Sequence, residues 1–138
     1  MGEPFRHQLR VRYGECDLQG VVFNAHYLAY FDTSINELLR AACGSYRSII
    51  ERGIDVVVAE AQLRFRSAAR FEDELTLEVA ITRLGTTSIA TAHRIDRDGE
   101  LLVEGTLRHV LVDLASMAKT PIPDWLRARL KPWVVAAG

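Results

Sequence analysis

Apolar positions change their period along this chain, and each change marks an element. Leu28, Phe31, Ile35, Leu38, Leu39 and Ala42 recur at helical spacing. They predict one long helix with a broad apolar face, capped by Asn24 and stopped at Gly44. Ahead of it, Phe5, Leu9 and Val11 read as a short strand. Residues 13–23, with Gly14 and Gly20, read as a loop. Residues 45–52 form a shorter helix that Gly53 ends. From Val56 the period becomes two. Ala59, Ala61, Leu63 and Phe65 alternate with Glu60, Gln62, Arg64 and Arg66, and then Leu75, Leu77, Val79 and Ile81 alternate with Glu74, Thr76, Glu78 and Ala80. Both runs predict half-buried strands.

Leu84-Gly85-Thr86 marks a turn, and residues 88–95 form a third strand of weaker alternation. Asp98-Gly99 is a strong hairpin signal before a last strand over residues 101–114. Pro121 and Pro123 precede a short helix over residues 124–130. A strand, a long helix and four consecutive strands predict an α+β fold, an antiparallel sheet wrapped around one long central helix. Long strands at the edge of such a sheet need cover, which favours a homo-oligomer. No repeat or Pro/Gly-rich linker divides the chain, so residues 1–138 read as one domain.

Composition narrows the function classes. A formal net charge of -1, from 17 basic and 18 acidic residues, gives no basic excess for nucleic acid. No apolar run approaches the roughly 20 residues that span a bilayer, and the N-terminus lacks the apolar core of a secretory signal. Two cysteines, Cys16 and Cys43, and four scattered histidines show no metal-ligand spacing, so no metal or other cofactor is expected. A cytoplasmic location with reduced thiols is the default expectation.

The chemistry concentrates between Tyr13 and Asp32, in YGECDLQGVVFNAHYLAYFD. Asp17 lies seven residues before the expected helix start. The first N–H groups of a helix lack internal acceptors, and the helix dipole favours negative charge there. A carboxylate beside such donors is half of what an attack on a carbonyl needs. From spacing alone, an Asx turn accounts for Asp17 equally well. Cys16 reads as a small buried residue or a thiol nucleophile, though no histidine pairs with it in sequence. His26 reads as a first-turn surface or interface residue rather than a base. Tyr27 reads as a core or interface packing residue. Glu15 reads as solvated or as an aid to Asp17. Asp32 is a cap or interface residue, with contact to a polar group of a ligand as the alternative.

Residues 10–32, RVRYGECDLQGVVFNAHYLAYFD, with the pieces ERGI at residues 51–54 and SAARFEDELTLEVAI at residues 67–81, resemble the hotdog-fold acyl-CoA thioesterases of the 4-hydroxybenzoyl-CoA thioesterase branch. The resemblance covers nearly the whole chain. It implies a hotdog fold, hydrolysis of an acyl-CoA to a free acid and CoA, and Asp17 as general base or nucleophile. It implies that the backbone N–H of Asn24 polarises the thioester carbonyl, and that the site lies between subunits of a dimer or homotetramer. Relatives often carry basic residues where this chain has Gly85-Thr86-Thr87, so Arg70 or Arg94 become the candidates for the CoA phosphates. The expected substrate-binding residues are Tyr27, His26, Arg70 and Ser88. The rival reading is a non-catalytic hotdog module that binds CoA or carrier-protein acyl groups. A dehydratase on the same fold would need a second polar motif, which the sequence does not show.

Overall fold

The period-two runs pair into a sheet. In a computed structural model describing residues 2–135, the strands are β1 (Phe5–Arg10), β2 (Ile54–Phe65), β3 (Glu74–Leu84), β4 (Ser88–Arg97) and β5 (Glu100–Asp113). All pairings are antiparallel, in the order β1-β3-β4-β5-β2. The helices are α1 (His26–Cys43), α2 (Tyr46–Glu51) and α3 (Asp124–Leu130). The expected α+β order of elements is the observed one.

α1 packs its apolar stripe onto one face of the sheet. Tyr27, Tyr30 and Phe31 meet Leu75, Leu77, Ile95, Leu102 and Leu107 near its start. Leu38 and Leu39 meet Ile81, Ile89 and Leu111 near its end, where Leu126 and Leu130 of α3 close the cluster. Each such buried side chain stabilises the fold by about 1.5–3 kcal/mol. Gly105 lies under the crossing. A Cβ there would come within 2.9 Å of the Phe31 ring and 2.1 Å of the Gln62 carbonyl oxygen, so only hydrogen fits. The ring of His93 stacks on Phe31 from the sheet side at 4.4 Å between centroids.

Three expectations need correction. The long helix starts at His26, not at Asn24. Ala25 already has helical dihedrals, and Asn24 belongs to a preceding turn in which Tyr27 N donates to its carbonyl at 3.3 Å. No side-chain cap bond forms at this helix start. β2 is not half-buried in its middle. It is the sheet edge, exposed from Val58 to Gln62 and kinked by a bulge at Ala59. Period-two patterning reports which face an apolar residue shares, and among the described residues no element covers that face here. The weak alternation of the third strand is a polar insertion in a regular one: Ile89, Thr91, His93 and Ile95 are all buried on the helix side.

Candidate active site

Residues 15–23 form a small hairpin that delivers the chain to α1. Asp17 N donates to Val21 O at 2.9 Å, Gly20 N donates to Asp17 O at 3.0 Å, and Phe23 N donates to Glu15 O at 3.1 Å. Gly20 closes the turn at φ +80°, a conformation that side chains resist. The returning strand is held from its other side: Val21 bridges Arg70, and Val22 N donates to Ala69 O at 2.9 Å. Asp17 Oδ1 accepts from Gln19 N at 2.8 Å, so the Asx turn is real. Oδ2 has no protein partner among the described residues. Asp17 also lines an open cavity of about 570 Å³ with Tyr13, Cys16, Leu18, Gly20 and Phe71. Leu18 is fully exposed, and Tyr13 and Phe71 are 81% and 49% exposed. These exposed apolar groups form a collar around the carboxylate.

The other end of the hairpin presents backbone donors. His26 N donates to Phe23 O at 2.8 Å, yet neither Asn24 N nor Ala25 N has an acceptor among the described residues. Both residues are exposed. The ladder offsets Asp17 from Asn24 by about three residues, on the order of 10 Å of backbone.

Glu15 anchors this arrangement and was misjudged in the sequence. It is 7% exposed rather than solvated. Its carboxylate accepts from Arg12 N at 2.8 Å, from the Arg12 guanidinium at 3.0 and 3.2 Å, and from Tyr30 Oη at 2.8 Å. His26 Nε2 lies 3.4 Å away. Burial pushes the Glu15 pKa up, but the Arg12 backbone, the Tyr30 hydroxyl and the Arg12 guanidinium outweigh it and hold the carboxyl below its ordinary value. Glu15 therefore stays ionised and pins the hairpin to the first turn of α1. A Glu three residues after an Arg and fifteen before a Tyr carries no local signal of this.

The remaining candidates separate. Arg70 is adjacent to the Asp17 hairpin, exposed, with no acceptor for its guanidinium among the described residues. Arg94 is spent on Glu78 at 3.9 Å and Asp96 at 3.8 Å. Tyr27 is 2% exposed, and its hydroxyl accepts from Ala69 N at 3.0 Å, so in this chain it pins the segment at residues 69–70 that flanks the hairpin. Ser88 begins β4, at the end of the sheet away from Asp17, and the chain does not bring the two together. Cys16 is disfavoured as a nucleophile. Burial raises its thiol pKa, and the negative charges of Glu15 and Asp17 raise it further. The Gly85–Thr87 turn is not without a cation: Arg127 reaches it from α3 and donates to Gly85 O at 2.6 Å. Sequence distance hid that residue. Among the described residues, no cluster of three potential metal ligands occurs, and no helix is long and apolar enough to cross a membrane.

A second feature lies on the far side of α1. Thr91 Oγ1 is 2.8 Å from His93 Nε2 and 3.2 Å from His109 Nε2, with all three residues buried. Burial, and then the neighbouring His109, lowers the His93 pKa to about 3, and burial lowers that of His109 to about 4. His109 also borders a cavity of about 300 Å³ between α1 and β2.

The chain is similar to known proteins in sequence and in fold. The profile of the Thioesterase-like superfamily matches residues 11–130. The acyl-CoA thioester hydrolase YbgC of Escherichia coli O157:H7 is 29% identical over 128 residues, covering 92% of this chain and 96% of its own. The 4-hydroxybenzoyl-CoA thioesterase of Pseudomonas sp. (strain CBS-3) is 27% identical over 100 residues, 70% of this chain and 71% of its own. The crystal structure of a hypothetical protein from Thermus thermophilus superposes with a TM-score of 0.87 at 29% identity, covering 93% of this chain and 98% of that one. The shared architecture is the hotdog fold.

Proposed function

This chain belongs to the Thioesterase-like superfamily, and from that premise we propose that it is an acyl-CoA thioester hydrolase in which Asp17 drives attack on the thioester carbonyl. The observation that carries the reading is Asp17 on the wall of an open cavity, in a hairpin that ends in unpaired amides. Oδ2 is free to act while the Oδ1 bond to Gln19 N holds the carboxylate in place.

As a general base, Asp17 takes a proton from water as the water oxygen bonds to the acyl carbon. The C–S bond then breaks, CoA leaves as the thiolate, and the free acid remains. As a nucleophile, Asp17 displaces the thiolate to give a mixed anhydride, which water opens. Either route places negative charge on the carbonyl oxygen, where the Asn24 N–H would stabilise it by ~3 kcal/mol. A thiolate is a good leaving group, so no strong general acid is required.

The exposed edge of β2 and the exposed Val58 and Phe65 support pairing with a second copy of the chain. Such a partner would also cover the apolar collar around Asp17. For the CoA phosphates, Arg70 is favoured over Arg94 because its guanidinium is uncommitted.

Thiol release from a panel of acyl-CoAs tests the reading. Asp17→Asn is expected to lower kcat by at least about 100-fold while the unfolding midpoint stays near that of the parent. Equal turnover by the two proteins refutes the role of Asp17. CoA binding by calorimetry with no thiol release from any member of the panel would establish the binding-module alternative instead.

A further inference from the structure

The buried His93–Thr91–His109 array plays no part in the chemistry above, yet it borders a cavity. That cavity has Ile35, Val56 and Val58 as apolar walls, the exposed Asp32 and Asn36 at its rim, and the buried His109 at its floor. At about 300 Å³ it suits an acyl tail rather than a whole coenzyme. Asp32 lies six residues beyond His26, about 9 Å along the helix axis from the start of α1. An occupant reaching this floor from the helix start would present the far end of its acyl group.

We infer that His109, clamped by Thr91 and His93, is a specificity-determining residue that offers an Nδ1–H donor to an oxygen at the far end of the acyl group. The donor identity follows from counting protons. Thr91 Oγ1 has one proton and meets two ring nitrogens. If both histidines donated to it, its own buried proton would have no acceptor. If His109 donated and Thr91 passed its proton to His93, the proton of His93 would sit on Nδ1, which is sealed without a partner. A buried orphan N–H is the rarer and costlier fault. The remaining arrangement has His93 Nε2–H donating to Thr91 and the Thr91 hydroxyl donating to His109 Nε2. It leaves only an unused lone pair on His93 Nδ1. His109 must then carry its proton on Nδ1, which has no protein acceptor among the described residues and is not sealed as His93 Nδ1 is. Both rings are neutral near pH 7, as this count requires. His109 is 2% exposed, so its free donor has only the cavity to face.

This inference rests on the thioesterase reading, and its test separates the two. Thiol release is measured on two matched pairs: decanoyl-CoA with 10-hydroxydecanoyl-CoA, and benzoyl-CoA with 4-hydroxybenzoyl-CoA. The parent should favour the hydroxylated member of at least one pair by about tenfold in kcat/KM, the worth of one hydrogen bond in a dry site. His109→Leu should bring that ratio close to one. His109→Asn, whose amide nitrogen occupies nearly the place of Nδ1, should keep it. Thr91→Val, which removes the clamp and leaves His109, should lose it. Nitrogen-15 NMR of the parent should find the proton on Nδ1 of His109 and on Nε2 of His93. The reverse tautomers overturn the inference whatever the kinetics show. Hydrolysis of both members at equal efficiency overturns the inference alone. Hydrolysis of no acyl-CoA overturns the thioesterase reading and the inference with it.

Discussion

Lowering the pH from 7.5 to 5 should destabilise the folded chain through His93 and His109. Burial holds their pKa values to about 3 and about 4, whereas an unfolded histidine titrates near 6.5. Depressed folded values mean that these groups' contribution is fully present above about pH 6.5 and is lost as the pH falls towards 4 and 3. At pH 5 each unfolded imidazole gains about 2 kcal/mol by taking a proton that the folded one refuses. The pair together removes about 4 kcal/mol, a large share of the roughly 5–15 kcal/mol that holds a domain folded. The groups around the pair are Thr91 and the Phe31 ring, with the Asp32 carboxyl across the cavity on α1. Glu15 and Asp73, held below their ordinary values by hydrogen bonds and arginines, act lower in the scale, whereas burial raises the Asp32 carboxyl, which gains stability as the pH falls and offsets part of the histidine loss. Urea unfolding at fixed protein concentration, at pH 7.5, 6 and 5, measures the effect. His93→Gln or His109→Asn should each cut the loss between pH 7.5 and 5 by about half, whatever its own stability at pH 7.5. A parent stability constant to within about 0.5 kcal/mol across that range would refute the reasoning.

Two further outcomes test the fold. Gly105→Ala should cost on the order of 1–3 kcal/mol in urea unfolding, because its methyl would meet the Phe31 ring and the Gln62 carbonyl; a change below about 0.5 kcal/mol would mean that α1 is not seated so closely. Val58→Lys, on the open edge of β2, should shift the molecular mass measured by light scattering towards that of one chain, and an unchanged oligomer would show that this edge is not the contact.

The hairpin that carries Asp17 was legible in part. Asp17, the Gly20 turn and the amides before α1 lie within eight residues of one another, and local spacing is what a sequence displays. Glu15 was misread because its partners are Arg12, Tyr30 and His26. A carboxylate's burial depends on a helix folding back over it, which no window around residue 15 contains. Arg127 was missed for the same reason, since α3 carries it back to a turn 42 residues earlier.

By itself, the order of apolar and polar residues determined that one long amphipathic helix precedes four strands, the first two of clear period two, because side-chain direction in helix and strand is a local property of the backbone. It could not say that β2 lies at the sheet edge, since alternation is the same whether or not a neighbour covers the face. Only the tertiary structure decided the strand order, the close seat of Phe31 on Gly105, and the meeting of Thr91 with two buried histidines from different strands. Those depend on which distant segments share a surface, and chain spacing does not encode that.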